Sequence, residues 1–305
     1  MGREVRDGDV RDEELGTAEM AEVQGSQLDL VSILDVRADG PGRFVAVPHV
    51  EHGRTVVEGS QMLAQSLVAA GRMAPGRRPV SAWMAFLRVA DGTVPLEFDL
   101  EVLSNGRTFS ALRVEVRQGE RLCASGHLLL DVTADDVIRH HVDAASVAGP
   151  DECERSDLGA VGQEVRVVDG AYSGDPDAPV GPPEIDVWVR CHDVPDDPCI
   201  HAALLAQFSG HMSIAAALRP HPGHGQDDAH RTLSTAVNAI SLSFHADVRA
   251  DEWMLYQHHS TFAGDGMTHS ECRVHDRSGA LLASFSVDGM VRSAAPTGIE
   301  SARVL

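Results

Sequence analysis

VSAWMAFLRV (80–89), PLEFDLEVL (95–103), TFSALRVEVR (108–117) and ERLCASGHLLLDV (120–132) follow one another in a stretch where apolar and polar residues alternate with a period near two. That period is the one required by a strand with a single face on a core. Ala90-Asp91-Gly92, Ser104-Asn105-Gly106 and Gln118-Gly119 separate the runs. Asn-Gly between alternating runs predicts a tight hairpin, because both residues tolerate positive φ. The four runs therefore read as hairpin-linked antiparallel strands. Upstream of them, Met62, Leu63, Ser66, Leu67 and Ala70 recur at helical spacing behind Glu58-Gly59-Ser60. This predicts a helix with one apolar face and with Gly71 as its C-terminal stop. Leu28–Leu34 adds a short apolar segment and Arg43–Val47 a strand, on either side of the turn Asp39-Gly40-Pro41-Gly42.

The second half repeats this plan. A strand over Ile185–Arg190 leads across Pro195-Asp196-Asp197-Pro198 into a helix predicted over Ile200–Leu218, and strands follow again. VEVRQGERLCASGHLLL (114–130) and CRVHDRSGALLASFSVDGM (272–290) share a strand, a polar turn with Gly, and an alternating strand carrying an Ala-Ser pair. A repeat of this length means a duplicated domain and not a solenoid. Between about 133 and 183 the chain turns acidic and rich in Gly and Pro, which predicts a linker with little core. Residues 1–27 lack apolar periodicity and read as a solvated acidic tail.

Composition removes several classes of function. With 305 residues, 43% of them hydrophobic, the chain can bury a core without staples. Its 46 acidic and 25 basic residues give a net charge of −21, and every fixed cation is Arg. That charge argues against a nucleic-acid partner. The absence of Lys excludes a P-loop lysine, a pyridoxal Schiff base and a Lys general base. Cys123, Cys153, Cys191, Cys199 and Cys272 are scattered with no C-x-x-C pair, as buried free thiols would be and a disulfide or zinc framework would not. The N-terminus shows neither a basic n-region nor an apolar h-region, and no window approaches the roughly 18 apolar residues of a membrane span. The expectation is a cytoplasmic protein with no membrane partner.

Specific motifs sharpen the reading. GSQMLAQSLVAA (59–70) resembles the G-G-Q-x-x-x-Q-A-L signature at the first helix of type II acyl-CoA thioesterases, with Ser60 in place of one Gly. Phe86-Leu87-Arg88, Pro95-Leu96-Glu97-Phe98 and Asn105-Gly106-Arg107-Thr108-Phe109-Ser110 with Arg113-Val114 follow that family's pattern in order. So do Pro195–His201, Phe244-His245 and Asp251-Glu252-Trp253-Met254-Leu255-Tyr256. The resemblance covers roughly Leu28 to Arg292. It implies an α+β fold, a double hot-dog in which each of two tandem domains wraps a long central helix in a curved antiparallel sheet. The implied division is an N-terminal domain over 28–135, a linker over 136–183, a C-terminal domain over 184–293 and a tail over 294–305. The implied substrate is an acyl thioester of coenzyme A or of an acyl-carrier protein. The coenzyme or phosphopantetheine enters as part of that substrate, with no other cofactor and no metal. A homodimer is compatible with the resemblance.

The family's catalytic Asp, hydroxyl and Gln align with Gly210, Val237 and Val287, none of which transfers a proton. What remains is a helix N-terminus, whose free N–H groups and dipole stabilise an oxyanion without any particular side chain. Glu58, Gly59 and Ser60 stand at that terminus, with Gly210 completing the candidate substrate-binding set. Glu58 reads either as a general base or as a carboxylate favouring the positive helix end. His211, beside the vacated Asp position, is a competent base near neutral pH. Ser209 and Asn238 are the other candidates to hold water or the carbonyl. His201 and His245 read as structural hydrogen-bonders. Three functions stay open: hydrolysis with rearranged residues; a non-hydrolytic reaction such as dehydration, isomerisation or decarboxylation in a specialised bacterial pathway; and acyl binding without catalysis.

Overall fold

The computed structural model describes residues 29–50, 55–158, 160–229 and 231–294. The expected tails, 1–27 and 294–305, lie outside the described residues except for Ala294. The first half comprises α1 (Leu30–Ile33), β1 (Arg37–Ala38), β2 (Arg43–Ala46), α2 (Gly59–Met73), β3 (Arg78–Phe86), β4 (Leu96–Asn105), β5 (Phe109–Gln118) and β6 (Arg121–Asp131). The second comprises β7 (Arg155–Ser156), β8 (Gln163–Val167), β9 (Glu184–Cys191), α3 (Pro198–Phe208), α4 (Ser213–Leu218), β10 (Leu233–Phe244), β11 (Met254–Gly264), β12 (Met267–Asp276) and β13 (Leu281–Ser293).

All these strands join one sheet in the order β1-β2-β4-β5-β6-β3-β10-β13-β12-β11-β9-β8-β7. The run β2-β4-β5-β6-β3 and the run β9-β11-β12-β13-β10 have the same topology. They meet edge to edge where β3 pairs β10, with Trp83 opposite Ser241. Even the irregularities repeat: the β4–β5 register shifts after Val102 and the β11–β12 register after Ser260. By that register His258 holds the place of Leu100, and Ser270 the place of Leu112. The architecture is the double hot-dog that the motifs imply.

The helices pack on the sheet and on each other. α2 is buried from Ser60 to Ala70, polar residues included, so the expected single apolar face is corrected to burial all round. The cause is a sheet on one side and α3 on the other. Gly71 is not a stop either, since the helix runs on to Met73; a Cβ at 71 would collide with Cys199 Sγ, so this glycine serves the approach of the two helices. The start of α3 is fixed by Asp197, whose side chain accepts from Cys199 N (2.8 Å), and by Pro198 at the first helical position.

The helix expected over Ile200–Leu218 is broken in two. α3 ends at Phe208, and Met212 takes a left-handed φ of +65° before α4 begins. The stretch expected as a linker with little core contributes β7 and β8 to the sheet edge. Ala144, Val147 and Ala148 pack there on a second small core of Cys153, Val168, Trp188, Trp253 and Leu255. Glu164 is buried in this region between Arg166 and Arg190 (2.7 Å each), and both guanidinium groups lie over Trp253.

Candidate active site

Antiparallel packing of α2 on α3 brings the start of one helix to the end of the other. Glu58 precedes α2 in an extended conformation (φ −68°, ψ 141°), and its side chain makes no capping bond. Gly59 follows, and the ring of Phe86 occupies the space a Cβ would need. The two glutamines of the helix motif are structural. Gln65 Nε2 donates to Ile33 O (2.8 Å), and the Gln61 amide donates to His49 O (2.9 Å) and accepts from His49 N (3.1 Å). Together they tie the incoming chain to α2 and so fix the position of its N-terminus.

Facing that terminus is the segment between α3 and α4. Gly210 lies against Ser60: a Cβ at 210 would stand 2.7 Å from Ser60 Oγ and 3.0 Å from Ser60 Cβ. The resemblance implies a Gly at 60 and an Asp at 210, and the Ser60 side chain occupies the space that a side chain at 210 would need. Ser60 Oγ is buried and has no hydrogen-bond partner among the described residues. One residue on, His211 Nε2 stands 3.4 Å from Glu58 Oε2. Its ring stacks on Phe208 (centroids 4.8 Å apart, planes 4° apart), which sets its orientation. Since Met212 leaves helical geometry here, the 100° spacing of successive helix residues no longer governs where His211 points.

The structure thus gathers Glu58, Gly59, Ser60, Gly210 and His211 in one place. Ser209 is beside them in sequence, yet its hydroxyl is buried and donates to Ala206 O (2.6 Å). Asn238 is the half-buried extra residue of a bulge in β10 between Val237 and Ala239, and Ala239 pairs with Ala85, the neighbour of Phe86. Val287 is a buried residue of β13 opposite Ile240. His201 and His245 make structural contacts: His201 Nδ1 accepts from Ala250 N (3.0 Å), and His245 Nε2 lies 2.8 Å from Ser284 Oγ. The cysteines offer no thiolate, since burial pushes Cys191 up to about 12 and Cys199 up to about 11.

Sequence reasoning missed one residue. His258 is 1% exposed, and neither of its ring nitrogens has a hydrogen-bond partner among the described residues. It stacks beside Tyr256 (6.2 Å, 11°) and meets the edge of Phe285 (5.6 Å, 71°). Phe208 in turn packs edge-on against Tyr256 (5.0 Å, 62°) and also stacks with His211. Burial, with His211 nearby, holds the His258 imidazole neutral and lowers its pKa to about 3. The signal was present in the period of two from Tyr256, whose hydroxyl donates to Leu205 O of α3 (3.1 Å) and which therefore faces the helices.

Comparison with known proteins agrees with the geometry. Residues 48–130 match the acyl-CoA thioesterase N-terminal domain, and residues 142–289 match the acyl-CoA thioesterase C-terminal domain. Acyl-CoA thioesterase 2 of Haemophilus influenzae is 28% identical over 262 residues, 77% of this chain and 87% of that protein. The tesB protein of Mycobacterium avium subspecies paratuberculosis superposes with a TM-score of 0.74 at 25% identity, covering 88% of this chain and 100% of that one. A protein of unknown function with a hot dog fold from Alicyclobacillus acidocaldarius shares the fold at a TM-score of 0.68 and 16% identity, over 87% of this chain and 98% of that one. Both domain matches fall in order along a chain whose two halves share one topology, so the chain belongs to the type II acyl-CoA thioesterase family of double hot-dog proteins.

Proposed function

We propose that this chain hydrolyses an acyl thioester of coenzyme A or of carrier-protein phosphopantetheine in the cytoplasm, with His211 as general base and Glu58 as its partner. The observation that carries this reading is the 3.4 Å approach of His211 Nε2 to Glu58 Oε2, across the junction of two helix ends. In this mechanism the thioester carbonyl lies at the start of α2, where the N–H groups of Gly59 and Ser60 stabilise developing negative charge. His211 takes a proton from water, and the hydroxide adds to the carbonyl carbon. Glu58 stabilises the imidazolium that results. Collapse of the tetrahedral intermediate expels the thiolate, which recovers the proton from His211 and leaves as free thiol beside the carboxylic acid. The Ser60 hydroxyl, buried beside this point, is available to the carbonyl oxygen or to the water.

The test is incubation with a panel of acyl-CoA and acyl-carrier thioesters, following thiol release and product mass together. Free thiol and acid should appear in equal amounts, and His211→Ala or Glu58→Ala should lower kcat by about a hundredfold or more while the fold persists. An acyl group altered but still attached to its thioester would replace hydrolysis by a dehydratase- or isomerase-type reaction. Binding without conversion across the panel would make the protein an acyl carrier or sensor.

A further inference from the structure

The sheet has an outer face, turned away from the helices, and Trp83 stands on it. Trp83 is 45% exposed, while its strand neighbours Ala82 and Met84 are buried on the inner side. Around the ring the outward residues are small: Ser81 and Ala85 lie two places either side on β3, and Ser243, Ser241 and Ala239 face this strand across the junction on β10. A single exposed apolar ring is ordinary. What distinguishes this one is the arrangement of charge on either side of it. The ladder registers set the outward residues in straight rows across the sheet. One row runs Arg113, His127, Trp83, Ser241, Ser286, Glu271 from β5 to β12. The next runs Glu115, Ser125, Ala85, Ala239, Asp288, His269. The β3–β10 junction is the middle of both rows. At equal distances from it stand Arg113 and Glu271 in the first row, and in the second Glu115 and the imidazole of His269, which holds Asp288 (2.7 Å).

Such a pattern is complementary to a second copy of itself in one orientation and not in the other. A two-fold axis lying along a row sets each residue of that row on its own copy, Arg113 on Arg113 and Glu271 on Glu271, which repels. A two-fold axis parallel to the strands, through the junction, reverses their order instead. It places Trp83 over the partner's Ser241, His127 over the partner's Ser286 and Arg113 over the partner's Glu271. Ala85 then meets the partner's Ala239, and Glu115 meets the partner's His269. No like charges meet in these two rows. Two chains of net charge −21 repel in general, so they approach only where charge is balanced locally, as it is here. Sheets packed in this aligned way turn by about 30°, which keeps the central contacts and shifts those on β5 and β12 by about 6 Å, within reach of Arg and Glu side chains. Six strands about 4.8 Å apart, over about 20 Å of their length, offer roughly 500 Å² per copy and about 1,000 Å² in the pair, the lower bound of a specific interface.

We infer that two copies of this chain associate through the outer faces of β5, β6, β3, β10, β13 and β12, with Trp83 of each seated on the partner's Ser241. The aromatic ring is the anchor, and the small residues of β10 make the flat floor that receives it. Arg113, which pairs with Glu101 in its own chain (2.8 Å), is shared with the partner's Glu271 and fixes the orientation. Nothing in this contact depends on the thioester chemistry.

Sedimentation equilibrium of the full chain over a range of concentrations tests the contact. A reversible dimer should appear, and Trp83→Arg should raise its Kd by about thirtyfold or more. Ser241→Arg, on the other side of the same contact, should do likewise, and it keeps the test open should Trp83→Arg not fold. Arg113→Glu and Glu271→Arg should each weaken the dimer about tenfold, and the two together in one chain should restore it, because both copies then present reversed charges. Fluorescence gives a second reading. Trp188 and Trp253 are buried, so acrylamide should quench mainly Trp83, and more strongly as the protein is diluted through its Kd. A chain that is monomeric at every concentration would overturn the interface, and a Trp83 protected from acrylamide in that monomer would assign the face to a segment of the same chain. A dimer indifferent to both Trp83→Arg and Ser241→Arg would place the contact elsewhere and overturn it too. So would charge variants whose losses simply add in the double variant.

Discussion

The two halves share a topology, a bulge position and a helix packed on a sheet, yet their interiors differ. Where the first half carries Leu100, Leu112 and Val114 on its inner face, the second carries His258, Ser270 and Cys272 at the matching register positions. The first half's helix is continuous from Gly59 to Met73, while the second half's is broken between Phe208 and Ser213. At these sheet positions one copy is apolar and the other holds polar groups, while the buried polar residues of the first half lie mainly on its helix, at Ser60, Gln61, Gln65 and Ser66. The candidate chemistry sits where the intact helix starts and the broken one ends, so each half contributes one side of it.

The strongest way to break this comparison is to exchange the paired residues. Leu100→His puts a buried imidazole into an apolar face and should cost about 3 kcal/mol or more, read from the shift of the urea unfolding midpoint. His258→Leu, the reverse exchange, removes unpartnered polar atoms and should be neutral or stabilising by about 1 kcal/mol. Equal destabilisation by both changes would mean that His258 is a structural residue like any other and that the halves do not differ in this way.

A second test addresses the contact between the halves. Gly210→Asp introduces the carboxylate that the resemblance implies there, but its Cβ meets Ser60 at 2.7 and 3.0 Å. Alone it should destabilise by about 2 kcal/mol, and Ser60→Gly in the same chain should recover most of that loss. A double-mutant cycle in denaturant measures the coupling. Additive effects would show that the replacements at 60 and 210 are independent. A gain of thiol release in the double variant, even in the absence of His211, would show that a carboxylate at this position fits the site.

Much of this was legible in the sequence, for identifiable reasons. The strands follow from a period of two and the hairpins from Asn105-Gly106 and Gln118-Gly119, because these are local constraints on φ and on burial. Glu58, Ser60, Gly210 and His211 were accessible because they flank motif positions. The break at Met212 was not, since a non-Gly residue at positive φ leaves no mark in the sequence and the apolar period continues through it. The bond from Ser209 to Ala206 O was not legible either, since hydroxyls near helix ends turn back onto the backbone by a choice of local geometry. The complementarity of Ser60 with Gly210 and of Gly71 with Cys199 joins residues far apart in the chain, so it exists only in the fold. His258 was passed over because its burial depends on aromatic residues of other elements, Phe208 and Phe285, that only the fold brings beside β11.

Acid titration sharpens the comparison with the smallest expected effect, a change of slope rather than a midpoint. His201, His245, His258 and His275, each with a pKa lowered by burial, all belong to the second half. A histidine lowered in the folded state stabilises above its usual value of 6.5, and that stability is lost as pH falls, because the unfolded chain takes up the proton first. For His258 the loss should extend from about 6.5 down to about 3. Glu164, held by Arg190 and Arg166 well below the usual 4.5 to about 2, acts in a lower window: its stabilisation is complete above 4.5 and fades as pH drops toward about 2. His258→Leu should therefore flatten the upper part of the stability curve, only in part because the other three histidines remain, and Glu164→Gln should flatten the lower part. Hydrogen exchange should show β9, β11 and β12 opening before β4 and β5 as pH falls. If the two halves lose protection together, acid sensitivity belongs to the sheet as a whole and the difference in their interiors does not govern how it comes apart.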